Sequence, residues 1–138
     1  MRLSVVLSLL ACSLFSTPAF AAWDIFQSYV IIDAGSGNQF LAGGYNADAA
    51  ATLDASDLGT FEASDVLTLN GGELKTYKNG SSNVCGGNVY YRVYASGDTP
   101  GSFSSVALPY DSELANAGDQ KWDETAAGID LLAGLTAG

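Results

Sequence analysis

The sequence predicts an all-β protein, an antiparallel β-sandwich of immunoglobulin-like type, on three observations. Its 16 glycines, with many Asn, Asp, Ser and Thr residues, fall as punctuation between short apolar runs. Several of those runs alternate apolar and polar residues, the period of a strand with one buried face. No long segment sustains a helical period. Short strands separated by turn signals at this spacing are the pattern of a sandwich.

Taken in order, the first 21 residues read as a secretory leader. Arg2 is a minimal basic start, and residues 3–15 are mostly apolar, broken only by serines and Cys12. Ser16, Thr17 and Pro18 then break the run ahead of Ala19-Phe20-Ala21, an A-x-A cleavage pattern. The apolar run is shorter than the roughly 20 residues a membrane-spanning helix needs. A rival reading, acylation of Cys12 in "LLAC", is disfavoured by its position inside the apolar run. The expectation is export, with cleavage near Ala21 and a secreted or cell-surface product. No second apolar run of spanning length follows, so membrane embedding is not expected.

Residues 22–138 are then one domain, with no internal repeat or linker. Strands are predicted at 28–33, 39–42, 58–63, 66–69, 73–78, 88–95 and 102–108, with weaker signals at 121–122 and 129–132. "LTLNGGELKTYK" is the clearest hairpin, because Asn70-Gly71 supplies the positive φ angles of a tight turn. Residues 46–59 are alanine-rich enough for a helical turn or two, confined by Gly43-Gly44 and Gly59. At the far end "GIDLLAGLTAG" passes from an apolar stretch into turn residues and stops. A turn normally announces a further element, so the reading is a chain lacking its last strand, set against a ragged natural terminus.

Charge and composition exclude several function classes. Fifteen Asp and Glu residues oppose five Lys and Arg, and every acidic residue lies at or beyond Asp24. Such a surface is unsuited to nucleic acid. The sequence holds no histidine, which removes the commonest general base, the triads that use it and most zinc sites. Cys85 is the sole cysteine after residue 21, so no disulfide forms within the processed chain. It reads as a small residue at the lip of a loop, with pairing between chains the minority alternative. No G-x-S-x-G elbow, phosphate-binding glycine loop or EF-hand pattern appears. "NGS" at 79–81 fits the N-glycosylation pattern, which matters only in a eukaryotic source.

Carboxylates remain as the abundant reactive group. Asp48, Asp54, Asp57, Glu62 and Asp65 crowd one segment, while Asp119, Asp123 and Glu124 flank Trp122. A glycosidase pair and a calcium site could each be assembled from such residues, but neither spacing is diagnostic. Solvated loop charge is the weightier reading. No cofactor is expected; calcium is the one the composition would allow, and no metal ligands are assigned.

The best candidate contact residues lie in "NVYYRVYA". Val89, Tyr91 and Val93 share one strand face and should look to the core; Tyr90, Arg92 and Tyr94 share the other. Tyrosine rings beside a guanidinium suit stacking on sugars or peptides. Cross-strand Tyr and Arg pairs equally stabilise a solvated sheet face with no ligand, the weightier reading here. Tyr77 and Lys75 have matching parity and would extend the stripe if their strand paired with this one. Trp122 is a further, weaker candidate.

Taken in order, "GGELKTYKNG", "VYYRVYASGDTPGSFSSVALPY", "GDQKWDET" and "GIDLLAGLTAG" resemble an uncharacterised β-rich module of secreted and cell-surface proteins in Bacteroidetes-type bacteria. "YVIIDAGSGNQF" at 29–40 and "LGTF" at 58–61 stand in matching places, so the resemblance spans most of residues 28–138. In that family "LLAGL" leads into a further "YTLEVY"-like strand, which implies that a strand is missing here. The modules sit in larger exported proteins, and the resemblance implies no catalytic residues. The expected function is a non-catalytic exported surface, adhesion or spacer module. The alternative is a carbohydrate-binding module using the Tyr/Arg face, with calcium support. A carboxylate-dependent hydrolase fragment ranks third. A glycan or a surface protein is the partner class implied, and the oligomeric state is left open.

Overall fold

The computed structural model describes residues 2–11, 23–43, 53, 56–62, 64–79 and 84–135. Among them every regular element is a strand. In chain order these are β1 (Arg2–Ala11), β2 (Trp23–Asp33), β3 (Asn38–Ala42), β4 (Thr68–Lys78), β5 (Val84–Tyr94), β6 (Ser104–Leu108), β7 (Tyr110–Glu113), β8 (Gln120–Glu124) and β9 (Ile129–Asp130). They form a short sheet, β1-β5-β6, and a long one, β3-β2-β4-β8-β7, with β9 also on β4. Every pairing is antiparallel. The sheets pack face to face, so the predicted all-β sandwich holds. None of the described residues belongs to a helix long and apolar enough to cross a membrane, a statement that does not extend to β-barrels.

Alternation decides which face each strand buries. Val84, Val89, Val106 and Leu108 of the short sheet meet Val30, Ile32, Leu69, Leu74 and Trp122 of the long one, closed at one end by Leu67 and Leu131. Apolar burial of this kind stabilises by about 25 cal/mol per Å² removed from water. Two bulges keep the long strands in phase with this core. The β2–β4 register shifts between Ile25 and Gln27 and again between Ile31 and Ile32. The shifts let Ile25, Ser28, Val30 and Ile32 all be buried, although strict period two over the whole strand would separate Ile25 from the others.

The second bulge overturns the predicted hairpin. Asn70-Gly71 is not a turn: β4 runs without interruption from Thr68 to Lys78, passing straight through it. Gly71 does take a positive φ of 123°, but it spends that freedom on a bulge. A Cβ there would sit 2.3 Å from the Glu124 carbonyl oxygen on the neighbouring chain segment. The backbone of residues 124–130 bows around this point, where Ala127 donates its N–H to the Asn70 carbonyl (3.0 Å). In consequence β8 and β9 lie in line along one edge of β4.

Predicted strands at 28–33, 39–42, 88–95 and 102–108 fall on β2, β3, β5 and β6, and 121–122 and 129–132 fall on β8 and β9. Residues 58–62, predicted as a strand, are irregular. Their backbone is held instead by nearby carboxylates: Gly59 N–H donates to Asp57 Oδ1 (2.9 Å) and Glu62 N–H to Asp65 Oδ2 (2.7 Å). Leu58 and Phe61 still pack on the core from this loop. The alanine-rich stretch expected to be helical lies largely outside the described residues, as do Asp48, Asp54 and the proposed cleavage site.

Candidate functional site

The short sheet's outer face carries the stripe that the sequence singles out. Val89 is fully buried and Tyr91 and Val93 pack on the core, so Tyr90, Arg92 and Tyr94 are turned outward, each half-buried. Arg92 is the hub. Its guanidinium carbon lies 4.3 Å from the Phe103 ring centroid and 5.6 Å from that of Tyr94. Nη1 donates a long hydrogen bond to the Gly101 carbonyl (3.4 Å), and Nε is buried with no hydrogen-bond partner. A cation held over two aromatic faces gains about 0.5–1 kcal/mol from each at an exposed site. Phe103 was not legible as a member from "GSFSS". It is 41% exposed and reaches Arg92 from just before β6, whose ladder with β5 begins at Ser104 opposite Tyr91.

The two remaining candidates do not join this cluster. Tyr77 lies on β4, in the other sheet; β4 and β5 do not pair, and Tyr77 with Lys75 faces outward on the opposite side of the sandwich. The expected extension of the stripe is therefore corrected. Trp122 is turned inward by the alternation of β8 and is only 6% exposed. Its Nε1 donates to the buried Thr76 Oγ1 (3.2 Å), and its ring meets Tyr110 edge-on at 5.4 Å. Trp122 is a core residue with its one polar atom satisfied, not a surface contact.

On the long sheet's outer face an ionic cluster surrounds Lys121. Its Nζ lies 2.7 Å from Asp123, 3.3 Å from Asp111 and 3.6 Å from Glu73, which also pairs with Lys75 at 3.4 Å. The Asp123 hydrogen bond, more than any other contact, raises the Lys121 pKa above the ordinary lysine value, against partial burial. The Ser112 hydroxyl (2.8 Å) and then Lys121 hold the Asp111 carboxyl below its ordinary range. Like charges face each other directly, Glu73 opposite Asp123 and Lys75 opposite Lys121 in the β4–β8 register, and the ion pairs between them run along one strand or diagonally. Lys121 supplies the positive charge that lets Glu73 and Asp123 stand side by side.

Known proteins give no further guidance. The chain matches no family model, no curated protein and no solved structure. What the acidic residues do is therefore read from their contacts. Asp33 Oδ1 accepts from the N–H groups of Gly35 (2.8 Å) and Gly37 (2.9 Å), Glu124 Oε1 from Ala126, and Asp130 Oδ1 from Leu132. With Asp57 and Asp65, five carboxylates thus close turns by binding backbone donors. Among the described residues no three acidic or cysteine side chains gather where they could hold a metal ion.

Two clefts open at the end of the sandwich where Leu131 lies. One, of about 200 Å³, is lined by Asp57, Leu58, Phe61, Leu67 and Val93 among others. The other, of about 310 Å³, lies between the end of β5, residues 101–104 and residues 129–135. Asp57 is the single carboxylate residue lining the first and Asp130 the single one lining the second.

Proposed function

We propose that the chain is a non-catalytic, exported surface module of immunoglobulin-like type, delivered by a leader at residues 1–21 and related to the bacterial surface modules it resembles. The observation that carries this reading is that the charged clusters of the two outer faces and the turn carboxylates are engaged within the protein, the Arg92 Nε excepted. Arg92 is taken up by Phe103, Tyr94 and the Gly101 carbonyl, Lys121 by three carboxylates, and five other carboxylates by backbone N–H groups. A carboxylate-pair hydrolase needs two acids facing one cleft; among the described residues, the two clefts at the Leu131 end are lined by one acidic residue each, which supports the non-catalytic reading there.

Carbohydrate binding is the second reading, and one observation favours it. Phe103, Tyr90 and Tyr94 flank Arg92 on a single face and leave ring surface exposed, the combination on which sugars stack. A glycan array probed with the full chain, with and without calcium, separates the two. A spacer gives no retained glycan, and Tyr90→Ala/Tyr94→Ala then changes nothing but stability. Glycan retention by the wild type that is lost in that double variant establishes the sugar platform and displaces the spacer reading.

A further inference from the structure

The two edges of β5 are unequally occupied. On one side β6 pairs with residues 87–91 only; on the other β1 pairs from Val84 to Tyr94. The strand on the long edge is the very segment proposed above to be removed on export. Its backbone follows that edge from Arg2 to Ala11, with one register shift between Leu10 and Ala11. Register sets Leu3, Val5, Leu7 and Leu9 opposite Val93, Tyr91, Val89 and Gly87, the core-facing positions of β5. Arg2, Ser4, Val6, Ser8 and Leu10 stand opposite Tyr94, Arg92, Tyr90, Asn88 and Gly86, the positions of the other parity. Opposed residues of an antiparallel pair share a sheet face. The alternation of β5 therefore sets what a strand on this edge must supply: about ten extended residues, antiparallel to β5 and apolar opposite its core-facing positions.

We propose that the long edge of β5 is a strand-acceptor site. Residues 2–11 fill it in the unprocessed chain, and an extended segment of a partner polypeptide with apolar residues opposite the core-facing positions of β5 fills it once the leader is gone. The exchange in trans rests on the leader reading; the edge's preference does not. Physically, removing β1 uncovers the row of backbone N–H and C=O groups along β5 and the flank of a core that includes Val89. An exposed edge of this length and apolarity is a template for another chain, and strand addition satisfies backbone and side chains together.

The test uses the full chain with a specific protease site placed within residues 13–17, cut after folding. The N-terminal piece is expected to stay with the body through gel filtration. It should also exchange for a labelled peptide of residues 2–11 bearing a polar tag, followed by fluorescence anisotropy. A peptide with Leu3, Val5, Leu7 and Leu9 all changed to serine should bind at least tenfold more weakly. Loss of the piece with no peptide binding, or equal binding of both peptides, overturns the proposal. The mass of the N-terminus of the exported chain tests the leader reading separately. If residues 1–21 are retained there, β1 is a permanent strand and the exchange in trans fails, whatever the cut chain shows.

Discussion

Gly72 and Gly87 show how much of this fold is decided one residue at a time. They face each other's sheets, and each is a hole for a side chain opposite. A Cβ on Gly72 would lie 2.7 Å from both the Tyr29 carbonyl oxygen and Val89 Cγ2, while one on Gly87 would lie 2.4 Å from Leu74 Cδ1. The shorter distance is the cheaper clash, because the end of the Leu74 side chain can rotate away and the Tyr29 backbone cannot. Gly72→Ala is therefore expected to cost about 1–3 kcal/mol, the usual range for an overpacked core, and Gly87→Ala less. Urea denaturation of the two variants measures the difference, and an equal or larger loss for Gly87→Ala would contradict this account. The same glycines explain a misreading. "NGG" carries the strongest short-range turn signal a sequence can hold, yet here it marks a bulge followed by a close approach between sheets. Both uses require a missing side chain, and the sequence does not say which contact forbids it.

At the scale of elements, what was legible follows from how each strand is buried. β5 and β6 bury one face against the core and show it as alternation, and β2 shows an apolar run, Val30 to Ile32, buried on both faces, so their positions could be read directly, as could the division of Val89, Tyr91 and Val93 from Tyr90, Arg92 and Tyr94. β7 was missed because "YDSE" buries almost nothing; it adds to β8 through the ladder and the Tyr110–Trp122 ring contact. Residues 58–62 were misassigned because a loop that packs Leu58 and Phe61 inward looks like a strand when the carboxylates holding its backbone cannot be seen.

β8 owes its outer face to Lys121, which gives the protein a pH signature. Asp111 is held below its ordinary value, so its contribution is present above the unfolded carboxylate pKa near 3.9 and is lost as pH falls through the lower folded value. Lys121 is shifted upward, so its contribution is present below the unfolded lysine value near 10.4 and is lost as pH rises through the higher folded one. Lys121→Met should lower stability across the neutral plateau, with the part-buried Lys121–Asp123 pair accounting for at most about 1 kcal/mol. The gap to wild type should narrow towards pH 3 and only begin to narrow above about pH 10.4, because the folded Lys121 value lies above the alkaline end of the range. Melting temperatures from pH 3 to pH 11 check this, and a gap that stays constant to pH 3 would show that the carboxylates gain nothing from Lys121.

For the molecule as a whole, β4 is the element on which most of the others depend. β2 pairs with it along its length, β8 and β9 occupy its other edge, and Leu69 and Leu74 on it are completely buried. β3, β7 and β9 are short and peripheral, and β9 meets β4 at two residues only. Backbone hydrogen bonds in such a structure open in an order set by this hierarchy, because a peripheral strand can leave without exposing the core while β4 cannot. Amides of β4 between Gly72 and Thr76 should thus exchange with solvent only through global unfolding, at a free energy on the order of 5–15 kcal/mol for a domain of this kind. Those of β7 and β9 should exchange through local opening at several kcal/mol less. Residue-resolved hydrogen exchange at neutral pH gives both numbers from one sample. Protection of β7 equal to that of β4 would mean that the long sheet opens as one cooperative unit, with the Tyr110–Trp122 contact binding its margin to the core more firmly than a four-residue ladder would suggest.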